Sequence, residues 1–274
     1  MSGGIAVLPL AGIPELRDGD DLAALLAQAA ARAGGLEVLP VRGLPELRQA
    51  DDLAGLVTER IELLDGDVVV VAQKAVSKVE GRVVRLDDVQ ASERALELAG
   101  DTDPRRIEVI LRESARLVRT RPPLVIAETR HGFVCASAGV DSSNAPEAGT
   151  LVLLPFDPDA TAERLRAAIR ERTGRKVGVI VTDSFGRPWR HGTTDVAIGA
   201  AGVTVLRDLK GERDATGYEL HATVIAVADE IAGAAQLVMG KLDGVPVAVV
   251  RGLAVAGEGR ATDLVMPAER DLFR

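Results

Sequence analysis

The amino-acid sequence predicts an α+β protein with mixed sheets and packed helices, and three features of the chain support this fold class. Hydrophobic residues make up 47% of the 274 residues, which is enough for a sizeable core. Short apolar runs typical of buried strands occur beside longer segments with helical periodicity. Their order is not a regular β-α-β-α alternation, because hairpin-like strand pairs lie next to long helices. No linker rich in Pro, Gly or Ser divides the chain, so any second domain is expected to be an insertion.

The N-terminal part of the chain contains a repeated motif. Residues 7–17 recur with small changes as residues 38–48, and each copy leads into an Asp-Asp-Leu sequence and a predicted helix. A single duplication does not make a solenoid, which needs about three or more units to bury a continuous core. We expect residues 1–35 to be an N-terminal extension that duplicates a strand-loop-helix unit, with a second functional site as the alternative. Residues 36–274 are expected to form the main module.

Apolar runs bounded by turn residues predict the strands. Residues 68–72 follow an Asp-Gly-Asp turn and are expected to form a fully buried strand, with residues 81–85 as a short neighbouring strand. Residues 73–78 are expected to be the loop between these two strands. Further strands are predicted at residues 124–128, 132–138, 150–154, 177–181, 203–206 and 245–250.

Capping residues and apolar periodicity predict the helices. One helix is predicted over residues 92–99, and another over residues 104–117 with Asp103 as its N-cap and a proline in its first turn. Residues 158–172 are expected to be helical up to a stop at Gly174. The last long helix is predicted within residues 218–239. The apolar faces of these helices imply that they pack on a sheet.

Charge and cysteine content exclude several classes of protein. With 33 basic and 41 acidic residues, the net charge of −8 argues against a general affinity for nucleic acids. One cysteine excludes an internal disulfide, and together with only three histidines it argues against a structural zinc site. The N-terminus lacks a secretory signal pattern, and no apolar run approaches the roughly 20 residues that span a bilayer. We therefore expect a cytoplasmic protein without nucleic-acid or membrane partners.

The common nucleotide-binding motifs are missing from the sequence. The nearest approach to a P-loop, Gly240-Lys241, is followed by Leu242 and stands at the end of a predicted helix instead of opening one. The Gly-Glu-Gly sequence at residues 257–259 lacks the third glycine and the strand-helix context of a dinucleotide fingerprint. A nucleotide would therefore be bound without a P-loop or a Rossmann unit.

Two acidic residues follow predicted strands and precede small hydroxyl residues. Asp141 comes before two serines and Asn144, and Asp183 comes before Ser184. Carboxylate and hydroxyl oxygens suit Mg²⁺ or Mn²⁺, which commonly bridge protein oxygens to phosphate, and two such strand ends could share one ion. The alternative is that each aspartate caps a turn or a helix, as Asp-Ser sequences often do.

Basic and aromatic residues lie near these acids in the sequence, and the basic, glycine-bounded segment after Asp183 is expected to be a loop. Four basic side chains could neutralise phosphoryl oxygens, although each of them could equally belong to a solvated face: Lys74, Lys78, Arg187 and Arg190. Phe185 and Trp189 belong to a small set of four Phe, one Tyr and one Trp. They could stack on a flat heteroaromatic ligand or anchor a loop in the core. We predict that Phe185, Arg187, Trp189 and Arg190 contact substrate.

Six motifs occur in order along residues 36–259. They are the sequences LPVRGLP at 39–45, DGDVVV at 65–70, SKVEGR at 77–82, AGVDSSN at 138–144, TDSFGR at 182–187 and VVRGL at 249–253. Together they resemble the coenzyme F-420-0:L-glutamate ligases, the gamma-glutamyl ligase family called CofE. The resemblance implies a CofE-like architecture of two subdomains.

The resemblance also implies an activity. Members of this family are GTP-dependent ligases that add L-glutamate to the deazaflavin coenzyme F-420-0 and then a second glutamate through a gamma-linkage. The reaction passes through an acyl phosphate and releases GDP and phosphate. The family uses Mg²⁺ or Mn²⁺, is helped by potassium and forms a homodimer. From the residues alone, two alternatives remain open: a metal-dependent phosphatase or other phosphoryl-transfer enzyme, and a non-catalytic nucleotide-binding protein.

Site residues follow from the resemblance, position by position. Asp141, Asp183 and Ser184 would hold the metal ion, and Asp141, Asp183 and Lys78 would form the catalytic set. The nucleotide site would comprise Leu44, Pro45, Glu46, Leu47, Gln73, Lys74, Lys78, Asn144, Met239, Gly240 and Lys241. Some relatives carry an acidic metal ligand where this chain has Lys241, so Lys241 is expected to contact phosphate instead.

Overall fold

The computed structural model describes residues 3–8, 16, 21–26 and 35–272. Most of the first copy of the repeated motif lies outside the described residues, and so does most of the strand-loop-helix unit predicted within residues 1–35. Of that region, residues 5–7 form an edge strand of the main sheet, and residues 22–26 are helical.

The described part of the chain contains strands, α-helices and short 3-10 helices. The strands are β1 (Ile5–Val7), β2 (Leu36–Pro40), β3 (Val68–Ala72), β4 (Val83–Arg85), β5 (Ser114–Arg121), β6 (Leu124–Thr129), β7 (Val134–Ala136), β8 (Thr150–Val152), β9 (Gly178–Arg187), β10 (Arg190–Ala201), β11 (Arg207–Asp208), β12 (Val224–Ile225) and β13 (Val247–Arg251). Besides the helical residues 22–26, the α-helices are α1 (Leu53–Thr58), α2 (Gln73–Val79), α3 (Glu93–Ala99), α4 (Pro104–Glu113), α5 (Pro158–Thr173) and α6 (Val227–Met239). The 3-10 helices are Leu86–Asp88, Ser137–Gly139, Ala261–Leu264 and Ala268–Arg270.

The main sheet has the strand order β1-β2-β13-β3-β9-β10. The pair β3 and β9 is parallel, and the other neighbours in this sheet are antiparallel. Smaller sheets are formed by β5-β6-β7, by β4 with β8 and by β11 with β12. Because β3 and β9 run in the same direction, the segments that follow Ala72 and Val181 lie at the same edge of the sheet.

Helices cover both faces of the main sheet. On one face, α1 and α5 contribute Val57, Leu165 and other apolar residues to a core with Val69 and Val179. On the opposite face, α6 packs its apolar residues against a second set that includes Val68 and Ile180. Central strands that are buried on both faces read as continuous apolar runs, which explains the unbroken valines of β3.

A third apolar core is formed by residues of the segment 84–153. Helix α3 supplies Leu98, and helix α4 supplies Ile107 and Ile110, which pack with Val125 of β6 and Leu151 of β8. This core is separate from the two that flank the main sheet. The predicted α+β class with mixed sheets and packed helices is confirmed.

Local signals place several elements where the sequence predicts them. The Asp103 side chain accepts a hydrogen bond from the backbone N–H of Arg105 at the start of α4. Helix α5 ends at Gly174, which adopts the left-handed conformation with φ of 72°. The apolar run of residues 68–72 forms β3 with the predicted bounds.

Four predictions about secondary structure are wrong. Residues 73–78 are the helix α2, because good helix formers follow β3 directly without a turn residue. Helix α4 stops at Glu113, and the segment that follows pairs with β6 as β5, so strand pairing overrides local propensity. Residues 203–206 form only an isolated bridge between Val203 and Ala256. The basic segment after Asp183 is a hairpin of β9 and β10, not a loop.

Strand β10 has no counterpart among the predicted elements. Its second half is rich in glycine and alanine, and Gly199 explains why: a Cβ atom there would lie 2.3 Å from the carbonyl oxygen of Pro158. Helix α5 therefore begins directly against this strand. As a separate finding, none of the helices in the described ranges is long and apolar enough to cross a membrane.

Candidate active site

A cleft of about 610 Å³ lies at the edge of the main sheet where β3 passes into α2. Ala72 of β3 pairs with Thr182 of β9, so the first turn of α2 and the residues after Thr182 lie side by side. The remaining walls are residues 44–47 after β2, residues 144–146, and the end of α6 with the segment that follows it. Parallel pairing thus brings together segments that are more than 100 residues apart in the chain.

The cleft gathers most of the residues that the sequence predicts for the site. The lining includes the whole predicted nucleotide set together with Asp183 and Ser184: Leu44, Pro45, Glu46, Leu47, Gln73, Lys74, Lys78, Asn144, Met239, Gly240 and Lys241. Their position agrees with a common ligand site, and their roles stay predictions. Gln73 is buried and donates a hydrogen bond of 2.9 Å to the carbonyl oxygen of Leu153, which ties α2 to the third core.

Asp141 lies next to the cleft and contacts it through Lys74. An isolated bridge with Val152 holds its backbone, and the Lys74 ammonium donates to its carboxylate at 2.6 Å. The backbone N–H and the hydroxyl of Ser143 also donate to it, so Asp141 forms the Asx-type turn that was the alternative. Burial opposes ionisation, but the bonds from Lys74 and Ser143 outweigh it and lower the pKa of Asp141 to about 2.

The carboxylate of Asp183 has fewer hydrogen-bond partners than that of Asp141. Within the described residues, its hydrogen bond comes from the backbone N–H of Ser184 at 2.9 Å. Burial raises the pKa of Asp183 to about 7, the nearby charge of Asp195 adds to the rise, and Lys74 and Lys241 oppose it. The protein offers the ionised Asp183 carboxylate few stabilising contacts. A cation in the cleft would therefore stabilise it.

Asp195 is a cleft residue that the sequence reasoning missed. It lies on β10 directly opposite Ser184, is 5% exposed, and accepts a hydrogen bond of 2.7 Å from the Ser184 hydroxyl. Thr182 approaches the same carboxylate at 3.4 Å. Burial raises the pKa of Asp195, with the Ser184 bond opposing the rise. Only a prediction of β10, with its alternation of side chains, could have indicated this position.

The two lysines of α2 are already paired with carboxylates. Lys74 contacts Asp141, and Lys78 forms an ion pair with Glu46. Both lysine side chains are largely buried, whereas Glu46 is 64% exposed. An anionic ligand entering the cleft would therefore compete with protein carboxylates for the two ammonium groups.

The residues predicted to contact substrate lie on the hairpin, and none of the four lines the cleft. Phe185 packs edge-on against Phe133 with ring centroids 6.3 Å apart, which is the anchoring alternative. Trp189 is 83% exposed at the turn of the hairpin. Arg187 and Arg190 are exposed and pair with each other across the hairpin backbone.

The oxygen atoms near the cleft fit a hard divalent cation in chemistry, since Asp141 and Asp183 are carboxylates and Ser184 is a hydroxyl. However, the described ranges contain no group of three or more His, Cys, Asp or Glu side chains arranged to hold a metal ion. A cation here would need oxygen atoms from a ligand and from water to complete its coordination. Such shared coordination is usual for Mg²⁺ with phosphates.

Lysines, carboxylates and a hydroxyl thus line one cleft at the edge of a mixed sheet. The chain belongs to the F420-0:Gamma-glutamyl ligase family, whose model matches residues 43–252. The resemblance based on the six motifs is thereby confirmed.

Three relatives named coenzyme F420:L-glutamate ligase match almost the whole chain. The protein of Methanothermobacter thermautotrophicus is 43% identical over 277 residues, which cover 99% of each chain. That of Methanopyrus kandleri is 47% identical over 99% of this chain and 100% of its own length. That of Archaeoglobus fulgidus is 46% identical over 98% of this chain and 96% of its own.

Proposed function

We propose that this protein uses GTP to join L-glutamate to coenzyme F-420-0 and then adds a second glutamate through a gamma-linkage. Membership of the ligase family supports the acceptor and the amino acid. The observation that carries the nucleotide part is the cleft itself, where the lysines of α2 lie beside Asp183 and Ser184. Cationic groups and oxygen ligands in one cleft are what a triphosphate with its metal ion requires.

The reaction would proceed in two steps. A carboxylate oxygen of the acceptor attacks the γ-phosphorus of GTP, the bond to the β–γ bridging oxygen breaks, and GDP leaves. The product of this step is an acyl phosphate. The amine of glutamate then attacks the acyl carbon, the carbon–oxygen bond to phosphate breaks, and phosphate leaves as the amine loses a proton. Each step depends mainly on positioning and on stabilisation of charge.

The lysines would bind the nucleotide phosphates. Lys74 and Lys78 line the cleft in ion pairs with protein carboxylates, and Lys241 lines it from the segment after α6. Lys78 would exchange the exposed Glu46 for a phosphate oxygen, since the phosphate offers more charge at a similar distance. Lys241 would add a third cation close to Asp183 and Asp195.

Asp141, Asp183 and Ser184 would hold Mg²⁺ or Mn²⁺ together with phosphate oxygens. When bound, the cation neutralises charge on the phosphoryl group during transfer. Asp141 would need to release Lys74 to take this role, which would free the ammonium group for the phosphates. Activation by potassium and assembly as a homodimer complete the proposal, and both derive from the family alone.

The test is an assay of GDP release by the purified protein with GTP and Mn²⁺, with and without glutamate and coenzyme F-420-0. We expect repeated turnover, with many GDP released per protein molecule, only when both glutamate and coenzyme F-420-0 are present, and a product mass that increases by glutamate residues. Hydrolysis without glutamate would instead identify a phosphatase. Binding of GTP with no turnover would identify a nucleotide-binding protein.

A further inference from the structure

Two buried carboxylates in this fold differ in their hydrogen-bond partners. Asp159 accepts from the backbone N–H groups of Ala200, Ala261 and Thr262 and from the Thr262 hydroxyl, so it joins α5 to β10 and to the 3-10 helix Ala261–Leu264. Asp195 accepts only from two hydroxyl groups, and none of its described partners is a backbone N–H. Asp159 has the environment of a structural carboxylate. Asp195 does not.

The hydrogen bond between Ser184 and Asp195 fixes the direction of the Ser184 hydroxyl. A serine hydroxyl has one proton to donate and two lone pairs to offer. The proton points at the Asp195 carboxylate at 2.7 Å, while the oxygen atom belongs to a residue that lines the cleft. With its proton committed in this way, the hydroxyl can act only as an acceptor or a ligand toward the cleft.

Thr182 cannot replace Ser184 in this arrangement. Its hydroxyl donates to the carbonyl oxygen of Val196 at 2.9 Å and reaches Asp195 only at 3.4 Å. The strand register, with Asp195 opposite Ser184, selects the serine as the main partner.

We infer that Asp195 is a positioning residue for the cation: by accepting the Ser184 proton, it holds the lone pairs of the Ser184 oxygen toward the metal ion bound with GTP. The inference rests on the proposed function and names a residue that acts through Ser184 without touching the ion. Partners of this kind commonly change metal affinity by about 10-fold to 100-fold when they are removed.

The experiment is a double-mutant cycle read as metal-linked nucleotide binding. Isothermal titration calorimetry gives the Kd of a non-hydrolysable GTP analogue with EDTA and with Mn²⁺, and their ratio is the gain due to the metal. We expect Asp195→Ala and Ser184→Ala each to lower this gain about tenfold. In the Ser184→Ala background, Asp195→Ala should change it by less than about twofold, because the hydroxyl is already missing.

Asp195→Asn separates positioning from charge. Its amide oxygen can still accept the Ser184 proton, so we expect the gain to stay within about threefold of the wild-type gain. This variant is nearly isosteric, and the Ser184→Ala/Asp195→Asn cycle tests the inference even if Asp195→Ala does not fold. Thermal unfolding of each variant serves as the control.

The outcomes are distinguishable. An equal loss in Asp195→Asn and Asp195→Ala, or an undiminished effect of Asp195 in the Ser184→Ala background, would overturn this inference alone. A wild-type protein that binds the analogue equally well with EDTA and with Mn²⁺ would overturn the metal-linked GTP site and this inference together.

Discussion

Replacing Asp183 with asparagine should abolish ligase activity and stabilise the ligand-free fold. The pKa of Asp183 rises from 3.8 to about 7 because the carboxylate is desolvated. The unfolded chain loses this proton near the lower value and the folded chain near the higher one, so the folded state binds more protons between them. Ionisation therefore weakens folding increasingly as the pH rises through this range, and the penalty is constant above it.

The magnitude follows from the size of the shift. About three pKa units correspond to roughly 4 kcal/mol of unfolding free energy at pH 8, and the penalty reached at pH 5 is only about 1.5 kcal/mol. These figures are upper bounds, because water and side chains relax around a half-buried charge. Asparagine keeps the shape and the acceptor for the Ser184 N–H but has no charge to bury.

The assay is urea unfolding of the wild type and Asp183→Asn at pH 5 and pH 8, in EDTA and without nucleotide. We expect the variant to be more stable at pH 8, with a smaller difference at pH 5. Asp141→Asn is the control of opposite sign: the pKa of Asp141 is lowered to about 2, so its charge stabilises the fold above about pH 4. An Asp183→Asn variant that is no more stable at pH 8 than the wild type would refute the reasoning.

Three further predictions follow from other contacts. Arg251 donates two hydrogen bonds to the carboxylate of Asp67, which is 1% exposed, so Arg251→Met should lower the unfolding free energy in urea by about 3–5 kcal/mol; a loss below about 1 kcal/mol would contradict a buried ion pair. Lys78→Gln should weaken binding of the GTP analogue about tenfold or more in calorimetry, whereas Glu46→Gln should leave it unchanged or tighter because it frees the ammonium group. Trp189→Ala should leave the KM for GTP within about twofold, since Trp189 lies outside the cleft; a larger increase would place the turn of the hairpin in the nucleotide site.

Elements with strong local signals could be predicted from the sequence. Asp103 and Pro104 mark the start of α4 in adjacent positions, and Gly174 ends α5 where a left-handed residue is needed. The consecutive valines of β3 predict a strand that is buried on both faces. In each case, the information lies within a few residues of the element.

Elements that depend on distant partners could not be predicted. Residues 114–117 continue the predicted helical pattern, and they become part of β5 because β6 provides a partner. Strand β10 contains Gly199 at the point where the start of α5 approaches it. The residue that requires this glycine, Pro158, is 41 positions away, and glycine is not typical of strands. Local propensity is a weak guide where tertiary pairing supplies the hydrogen bonds.

The same distinction applies to the candidate site. Asp141, Asp183 and the lysines of α2 could be named because they stand beside apolar runs and within motifs. Their assembly in one cleft depends on the parallel pairing of β3 with β9, which no local pattern indicates. Asp195 was not predicted as a site residue because the strand that carries it was not predicted. It nevertheless accepts the shortest hydrogen bond that Ser184 donates.

The charges that line the cleft explain why the nucleotide and its cation should bind together. Three lysines and three carboxylates line it, so their formal charges cancel: Lys74, Lys78 and Lys241 against Glu46, Asp183 and Asp195. A triphosphate alone would bring several negative charges next to Asp183 and Asp195, and a divalent cation alone would meet three ammonium groups. Together they place the cation beside the carboxylates and the phosphates beside the lysines. Binding of either one should therefore strengthen binding of the other by the same factor.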